Sequence, residues 1–251
     1  MQKQDIARAA HILVQARRDM KPLDGLPNGL KPKSIAEAHA IQDEVSHQLG
    51  KLIAGFKAMT PPESDPTRGV IYGGTIHASP ARIPAAQVPQ CGVEAEVAFL
   101  FRRDLPARDK PYTRNEVAAV VDACPVIEVV HSRFGLKAPV SNLEKLADSI
   151  SNGGLVHGAP KSDWRAMPLG KLKVSLMVNG TPLHDKIGGH PTGDPLGVAV
   201  VLVNIWREKG GVRAGQFVTC GSYTGCDFIN PGDICVVNFE GLGRAEAQFQ
   251  P

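Results

Sequence analysis

The sequence predicts a mixed α/β chain of the α+β kind, an antiparallel-rich sheet core with a helical N-terminal segment. Three observations carry this. Amphipathic helical spacing is clearest in the first fifty residues, short apolar runs bounded by turn residues fill most of the remainder, and helices do not alternate with strands regularly enough for a doubly wound sheet or a (β/α)₈ barrel. At 251 residues the chain can build one large core. The expected organisation is a helical lead-in over 1–58 integrated with a β-rich core over 59–251.

Residues 5–18 place Ile6, Ala9, Ala10, Leu13 and Val14 at helical spacing. A Pro/Gly-rich loop from Pro22 to Pro32 follows, and then Ser34 with Glu37 gives a capping-box signature ahead of the stripe Ile35, Ala38, Ile41, Val45 and Leu49. Neither helix has a second apolar face, so they form a lead-in and not a domain. From Thr60 to Pro89, PPESDP, GG and SP punctuate the chain, which reads as a long irregular segment of the kind that forms lids and binding loops. The run VEAEVAFLF from Val93 to Phe101 is free of turn signals and reads as a strand. Thr113 and Glu116 start a short helix, and Pro125 introduces the strand VIEVV from Val126 to Val130. KLKVSLMV from Lys171 ends in the hairpin signal Asn179-Gly180. Asp194, Pro195 and Gly210-Gly211 bracket a helix carrying Leu202, Ile205 and Trp206, and strands from Phe217 and Ile234 flank the turn NPGD at Asn230.

Composition narrows the function classes. Lys plus Arg is 28 and Asp plus Glu is 25, a balance without basic blocks that argues against nucleic acid. The charged N-terminus has no signal-like apolar stretch, and the best apolar run, Val198 to Trp206, is too short to span a membrane. A cytoplasmic protein without membrane or nucleic-acid partners is expected. Five cysteines with no CxxC suggest reduced thiols, and Cys220 and Cys226 lack the ligand-rich cluster that zinc would need.

Glu94 and Glu96 are two residues apart, so strand geometry sends both carboxylates to one face and Ala95 and Val97 to the other. The pattern fits the solvent face of an edge strand, and it equally fits two ligands of a hard cation that relieves their repulsion. Glu128, the single acid within VIEVV, is a third carboxylate among β-branched residues and needs a partner. The three form a candidate metal triad.

With these segments in view the chain resembles the fumarylacetoacetate hydrolase superfamily, in the branch of 2-hydroxypenta-2,4-dienoate hydratases and 4-oxalocrotonate decarboxylases. The matching segments are Ile41-Gln42, GFK at Gly55 to Lys57, VEAEVAF at Val93 to Phe99, Asp104-Leu105, PVIEVVHSR at Pro125 to Arg133, Ser151-Asn152 and His157-Gly158. They continue through GHPTGDPL from Gly189, AGQFVTCGSYTG from Ala214, PGD from Pro231 and Gly241-Leu242-Gly243. The resemblance implies a mixed β-sheet roll or sandwich core and one Mg²⁺ or Mn²⁺ on Glu94, Glu96 and Glu128, chelating the 2-oxo acid end of the substrate. It implies Lys57 as the catalytic lysine beside that substrate, where the residues alone allow a surface lysine at a helix end. Arg133, His190, Ser222 and Thr224 become substrate-binding candidates, although Arg133 also suits a structural salt bridge and the GS-x-TG segment a tight turn. His77, His131 and His157 carry no assigned role.

The activity so implied is that of a metal-dependent lyase of aromatic catabolism, adding water to a 2-hydroxypenta-2,4-dienoate-type substrate to give a 4-hydroxy-2-oxo acid. The alternatives are a 4-oxalocrotonate-type decarboxylase, an acylpyruvate C–C hydrolase, and a metal-binding partner subunit without activity. The resemblance also implies a homo-oligomer, with a complex between hydratase and decarboxylase as a further partner. Two departures are expected to touch the substrate pocket. The K-x-G-x-T/S pattern common in the family reads KAMT from Lys57, and RGVIYGG from Arg68 lacks the acidic residue often found before its glycine.

Overall fold

Ser34 accepts a hydrogen bond from the Glu37 N–H, while Glu37 turns its carboxylate to the Lys33 N–H and the N-terminal amine. This cap opens α2 (Ile35–Leu49), which packs on α1 (Lys3–Asp19). Ala9, Ala10, Leu13 and Val14 bury against Ala38, Ile41 and Val45, and Phe134 and Leu146 complete the cluster. Leu146 belongs to α4 (Asn142–Ala147), a helix passed over in the sequence although Ser141 and Glu144 form a full capping box before it. The preceding short helix, α3 (Arg114–Ala118), starts at the Thr113–Glu116 box. The computed structural model describes residues 1–61 and 64–251.

Four strands occupy the region around the expected loop: β1 (Ile53–Met59), β2 (Thr67–Tyr72), β3 (Ile76–Ala78) and β4 (Ala81–Pro84). The irregular reading of Thr60 to Pro89 is therefore corrected, except at 62–63, which lie outside the described residues. Each strand there is too short to display an alternating pattern, and β3 and β4 pair with partners distant in sequence, β8 (Asn152–His157) and β15 (Gly243–Gln250). The boundary expected after residue 58 falls inside β1, a strand of the main sheet.

The remaining strands are β5 (Gly92–Phe101), β6 (Leu105–Pro106), β7 (Val121–Val130), β9 (Lys173–Val178), β10 (Thr181–Ile187), β11 (Gly211–Val212), β12 (Phe217–Ser222), β13 (Asp227–Phe228) and β14 (Ile234–Phe239), with α5 (Pro195–Trp206) before β11. The larger sheet runs β2-β1-β12-β5-β7-β8-β3, with β13 added on β5; the smaller runs β10-β9-β14-β15-β4. Most pairings are antiparallel, with β1–β12, β3–β8 and β4–β15 parallel. At the β9–β10 hairpin, Asn179 and Gly180 take φ of 51° and 80°, the left-handed pair that a two-residue turn requires. Pro125 lies inside β7 and does not open it. Pairing with β8 begins only at Val126, so its missing N–H removes no bond on that side.

Alternation along β5 separates two cores. Val93, Ala95, Val97, Phe99 and Phe101 face the main core shared with the smaller sheet and α5. Ala98 and Leu100 face a smaller cluster with Ile71, Cys124, Val126, Leu155 and Phe217. The larger sheet curls enough for β2 to touch β8, which is not its neighbour in strand order. Glu94 and Glu96 share parity with Ala98, so they stand on the concave side of that curl.

Candidate metal centre and active site

Glu94 on β5 pairs in register with Glu128 on β7, and Glu96 follows one pleat along. One carboxylate oxygen from each of Glu94, Glu96 and Glu128 can be chosen so that all three lie within 4.8 Å of one another. Glu96 and Glu128 are buried and Glu94 half-buried. The environment is hostile to bare carboxylates. Burial pushes the Glu94 carboxyl up to about 7, with Lys57 opposing and Glu128 adding to the rise. Burial and the other two glutamates hold Glu96 well above the usual carboxylate range.

The chain pins one oxygen of each buried glutamate and leaves the other free. Glu96 Oε2 accepts the Gly221 N–H at 3.0 Å. Glu128 Oε1 accepts the Asn152 amide at 2.9 Å and lies 2.7 Å from Lys57 Nζ, whereas Glu128 Oε2 is buried with no protein partner. Orphaned buried oxygen, an all-carboxylate donor set and mutual repulsion together fit a hard divalent cation.

Lys57 is on β1, 7% exposed, and also donates to the Ile150 carbonyl at 3.2 Å. It thus lies within a strand and not at a helix end. Burial alone would lower its pKa, but Glu128, Glu94 and Glu96 outweigh that and hold it above the ordinary lysine value. The carbonyl comes from Ser149, Ile150 and Ser151, three consecutive residues with φ of 54°, 54° and 59°. That left-handed run is unusual for residues with side chains, Ile150 above all, and its neighbours hold it in place.

Those neighbours include Arg133. Its guanidinium is buried, ion-paired with Asp148 and bonded to the Asp148 and Asn152 carbonyls at 2.9 and 3.0 Å. It has no place among the residues lining the cavity over the triad. His190 is buried beside the cavity, with Nε2 2.8 Å from the Cys220 carbonyl and Nδ1 accepting the Thr192 N–H at 3.3 Å; it anchors the loop that brings Pro191 and Thr192 to the wall. Ser222 lines the cavity, yet its hydroxyl accepts the Thr224 and Gly225 N–H groups and builds a tight turn. Thr224 accepts from the Ala95 N–H at 3.2 Å and donates to the Gly225 carbonyl. Asn152 was not singled out as a site residue: it falls within the Ser151-Asn152 match, but a lone buried amide carries no sequence pattern.

The cavity has a volume of about 600 Å³ and includes Lys57, Glu94, Glu96, Ile150, Ser151 and Gly221 in its lining. Of the two departures, KAMT lies on its wall as Lys57, Ala58, Met59 and Thr60; among the described residues, none of RGVIYGG lines it. A second cavity of about 490 Å³, between Trp164 and the start of α5, contains no triad residue. The five cysteines are free, and no helix among the described residues is long and apolar enough to cross a membrane.

Solved structures of fumarylacetoacetate hydrolase type share this curled-sheet fold. A 4-oxalocrotonate decarboxylase from Pseudomonas putida G7, complexed with magnesium and adipate, superposes with a TM-score of 0.85 at 22% identity, covering 99% of this chain and 98% of that one. A 2-hydroxyhepta-2,4-diene-1,7-dioate isomerase from Mycobacterium marinum gives 0.56 at 15% identity, covering 80% and 76%. In sequence, a 2-keto-4-pentenoate hydratase of Paraburkholderia xenovorans is 27% identical over 263 residues, covering 100% of this chain and 97% of its own. A 4-oxalocrotonate decarboxylase of Pseudomonas putida is 27% identical over 261 residues, covering 98% and 97%. No family model matches the chain. The chain is thus similar over its whole length to proteins named as hydratases and decarboxylases, and it shares the fold of the fumarylacetoacetate hydrolase-type structures.

Proposed function

We propose that the protein is a divalent-metal-dependent lyase that adds water to a 2-hydroxypenta-2,4-dienoate-type acid, giving a 4-hydroxy-2-oxo acid. The observation that carries the reading is the triad of Glu94, Glu96 and Glu128 with the Lys57 ammonium on Glu128, inside a chain homologous over its length to 2-keto-4-pentenoate hydratases. Glu94, Glu96 and Glu128 would hold Mg²⁺ or Mn²⁺, both of which suit oxygen donors. The ion would supply Lewis-acid polarisation of the substrate's 2-oxygen and neutralise its carboxylate.

The chain's residues do the rest. Lys57 bears a proton at the cavity floor, where it can pair with the substrate carboxylate and pass a proton as the dienol tautomerises to the 2-oxo-3-enoate. Water then adds at C4 of that electron-poor double bond, with a proton going to C3. The Ile150 carbonyl and Glu128 fix the direction of the ammonium. Gly221 and Asn152 keep their glutamates from turning away.

Decarboxylation of a 4-oxalocrotonate-type acid is the second reading, supported by homology to a 4-oxalocrotonate decarboxylase across 98% of this chain. Both reactions need the same electron sink at the 2-oxygen. Purified protein offered 2-hydroxypenta-2,4-dienoate and 4-oxalocrotonate in parallel, with Mg²⁺, separates them. Water addition without CO₂ is expected; CO₂ from the dicarboxylate selects the decarboxylase, and inactivity on both overturns the lyase assignment. A homo-oligomer is part of the proposal and is tested by light scattering.

A further inference from the structure

The cavity is built in two parts of opposite character. Strand register gives the outward direction: Lys57 to Met59 on β1, Glu128 to Val130 on β7, and Glu96 to Glu94 on antiparallel β5 each step from a buried to a more exposed position. The inner part holds the carboxylates and the ammonium. The rest of the lining is mainly apolar, with Ala58, Met59, Pro61, Val130, Pro191 and Val198, beside the uncharged hydroxyls of Thr60, Ser151, Thr192 and Ser222. Among the described residues lining the cavity, Lys57 is the only cation. Residues 62–63, next in sequence after Pro61, are Pro and Glu and add none. Arg68 is paired with Ala58 across the ladder, but its guanidinium is bonded to Gln42 at 2.7 Å, ion-paired with Asp43 and lies 4.6 Å from the Trp206 ring centroid.

Charge arithmetic then limits the substrate. Three carboxylates, one ammonium and one divalent cation sum to zero, and the substrate's own carboxylate makes the occupied site singly negative. A second carboxylate further out would meet mainly apolar lining and uncharged hydroxyls, with no second cation among the described lining residues to pair with it. An uncharged hydrocarbon group there buries apolar surface against apolar surface. A cavity of about 600 Å³ also has room beyond a five-carbon acid.

We propose that this outer wall is the specificity element, and that the substrate is a 2-hydroxy-2,4-dienoate with an uncharged alkyl or aryl group on C5, a second carboxylate at that end being rejected. The inference rests on the hydratase reading for its chemistry. Its test is therefore run twice, once on turnover and once on binding alone.

In turnover with Mg²⁺, kcat/KM is compared for the bare pentadienoate, its 5-propyl and 5-phenyl derivatives and the 5-carboxylate. The alkyl or aryl substrates should exceed the parent by about threefold or more, and the carboxylate should fall at least ~10-fold below it, the range by which pockets discriminate such groups. Equal turnover of the dicarboxylate, or loss of ~10-fold or more with the bulky tails, overturns the proposal. In binding, calorimetry with Mg²⁺-loaded protein compares 2-oxopentanoate, 2-oxooctanoate and 2-oxohexanedioate. Tightest binding of 2-oxooctanoate supports the outer wall even if no dienol is turned over, a result that would sink the lyase reading alone. Tightest binding of the dicarboxylate, or no binding of any, sinks the specificity assignment. Met59→Arg, at a half-exposed position on the rim, should shift the dicarboxylate-to-alkyl preference by ~10-fold towards the dicarboxylate. An unchanged ratio in a folded variant counts against the wall.

Discussion

Lys57 Nζ lies 2.7 Å from Glu128 Oε1, an ammonium set on a triad carboxylate whose other oxygen is buried with no partner among the described residues. The pair divides Glu128 between two tasks. One oxygen holds the lysine, and the other would be open to the proposed cation. Lys57→Met should therefore lower kcat by ~10²-fold or more, the usual loss for a positioned acid–base group, without weakening Mg²⁺ binding. Removing a positive charge from beside the triad favours the metal if anything. Calorimetric Mg²⁺ titration beside steady-state rates decides it, and a large loss of affinity would show that Lys57 supports the metal site instead.

Glu94→Gln with Glu96→Gln acts the other way. Metal-dependent activity should vanish, while the metal-free protein should unfold at a temperature no lower than that of the parent, because a crowded pair of buried acids has been neutralised. Thermal melts with and without Mg²⁺ provide the check. Full activity in the double variant would exclude the triad as the metal centre.

Asn152 orients Glu128, donating at 2.9 Å to the oxygen that also takes Lys57. Asn152→Leu should weaken Mg²⁺ affinity by ~10-fold, as supporting groups behind a ligand commonly do. Asn152→Asp, nearly the same size, should do worse, because it places a like charge on Glu128. Equal affinities for parent and both variants would remove Asn152 from the site.

Arg133 was a candidate for binding substrate, and its surroundings predict a stability phenotype. Both it and Asp148 are buried, and cutting the pair leaves the Asp148 carboxylate only the longer contact with Arg17 at 3.8 Å. Arg133→Met should lower unfolding stability by about 3–5 kcal/mol in denaturant titrations. A raised KM with unchanged stability would instead return Arg133 to the substrate.

Two histidines make stability depend on pH. Burial, aided by the Arg68 charge, lowers His39 to about 4; burial, aided by Arg133, lowers His131 to about 4. An unfolded histidine titrates near 6.5. Between these values the unfolded chain binds more protons than the folded one, so stability is fully present above about 6.5 and declines as pH falls towards 4. His39→Gln, which retains an acceptor for the Arg68 N–H seen at 3.2 Å, should flatten that decline in melts from pH 7 to pH 4. An unaltered slope would mean that His39 does not carry this part of it.

The sequence by itself determined what periodicity and chemistry can encode locally. Glu94 and Glu96 had to share a strand face because side chains alternate, Ser34 and Thr113 had to start helices because their hydroxyls meet the free N–H groups, and Asn179-Gly180 had to turn because both residues tolerate positive φ. The tertiary structure decided what depends on distant partners. Strands β2 to β4 have no local pattern and exist through ladders with β1, β8 and β15. Arg133, a plausible substrate ligand on spacing alone, went to Asp148 because the chain after β7 folds back to bury both. Lys57 reached Glu128 across 71 positions of sequence because β1 lies beside β12 in a curled sheet, where a triad and its lysine can face one cavity.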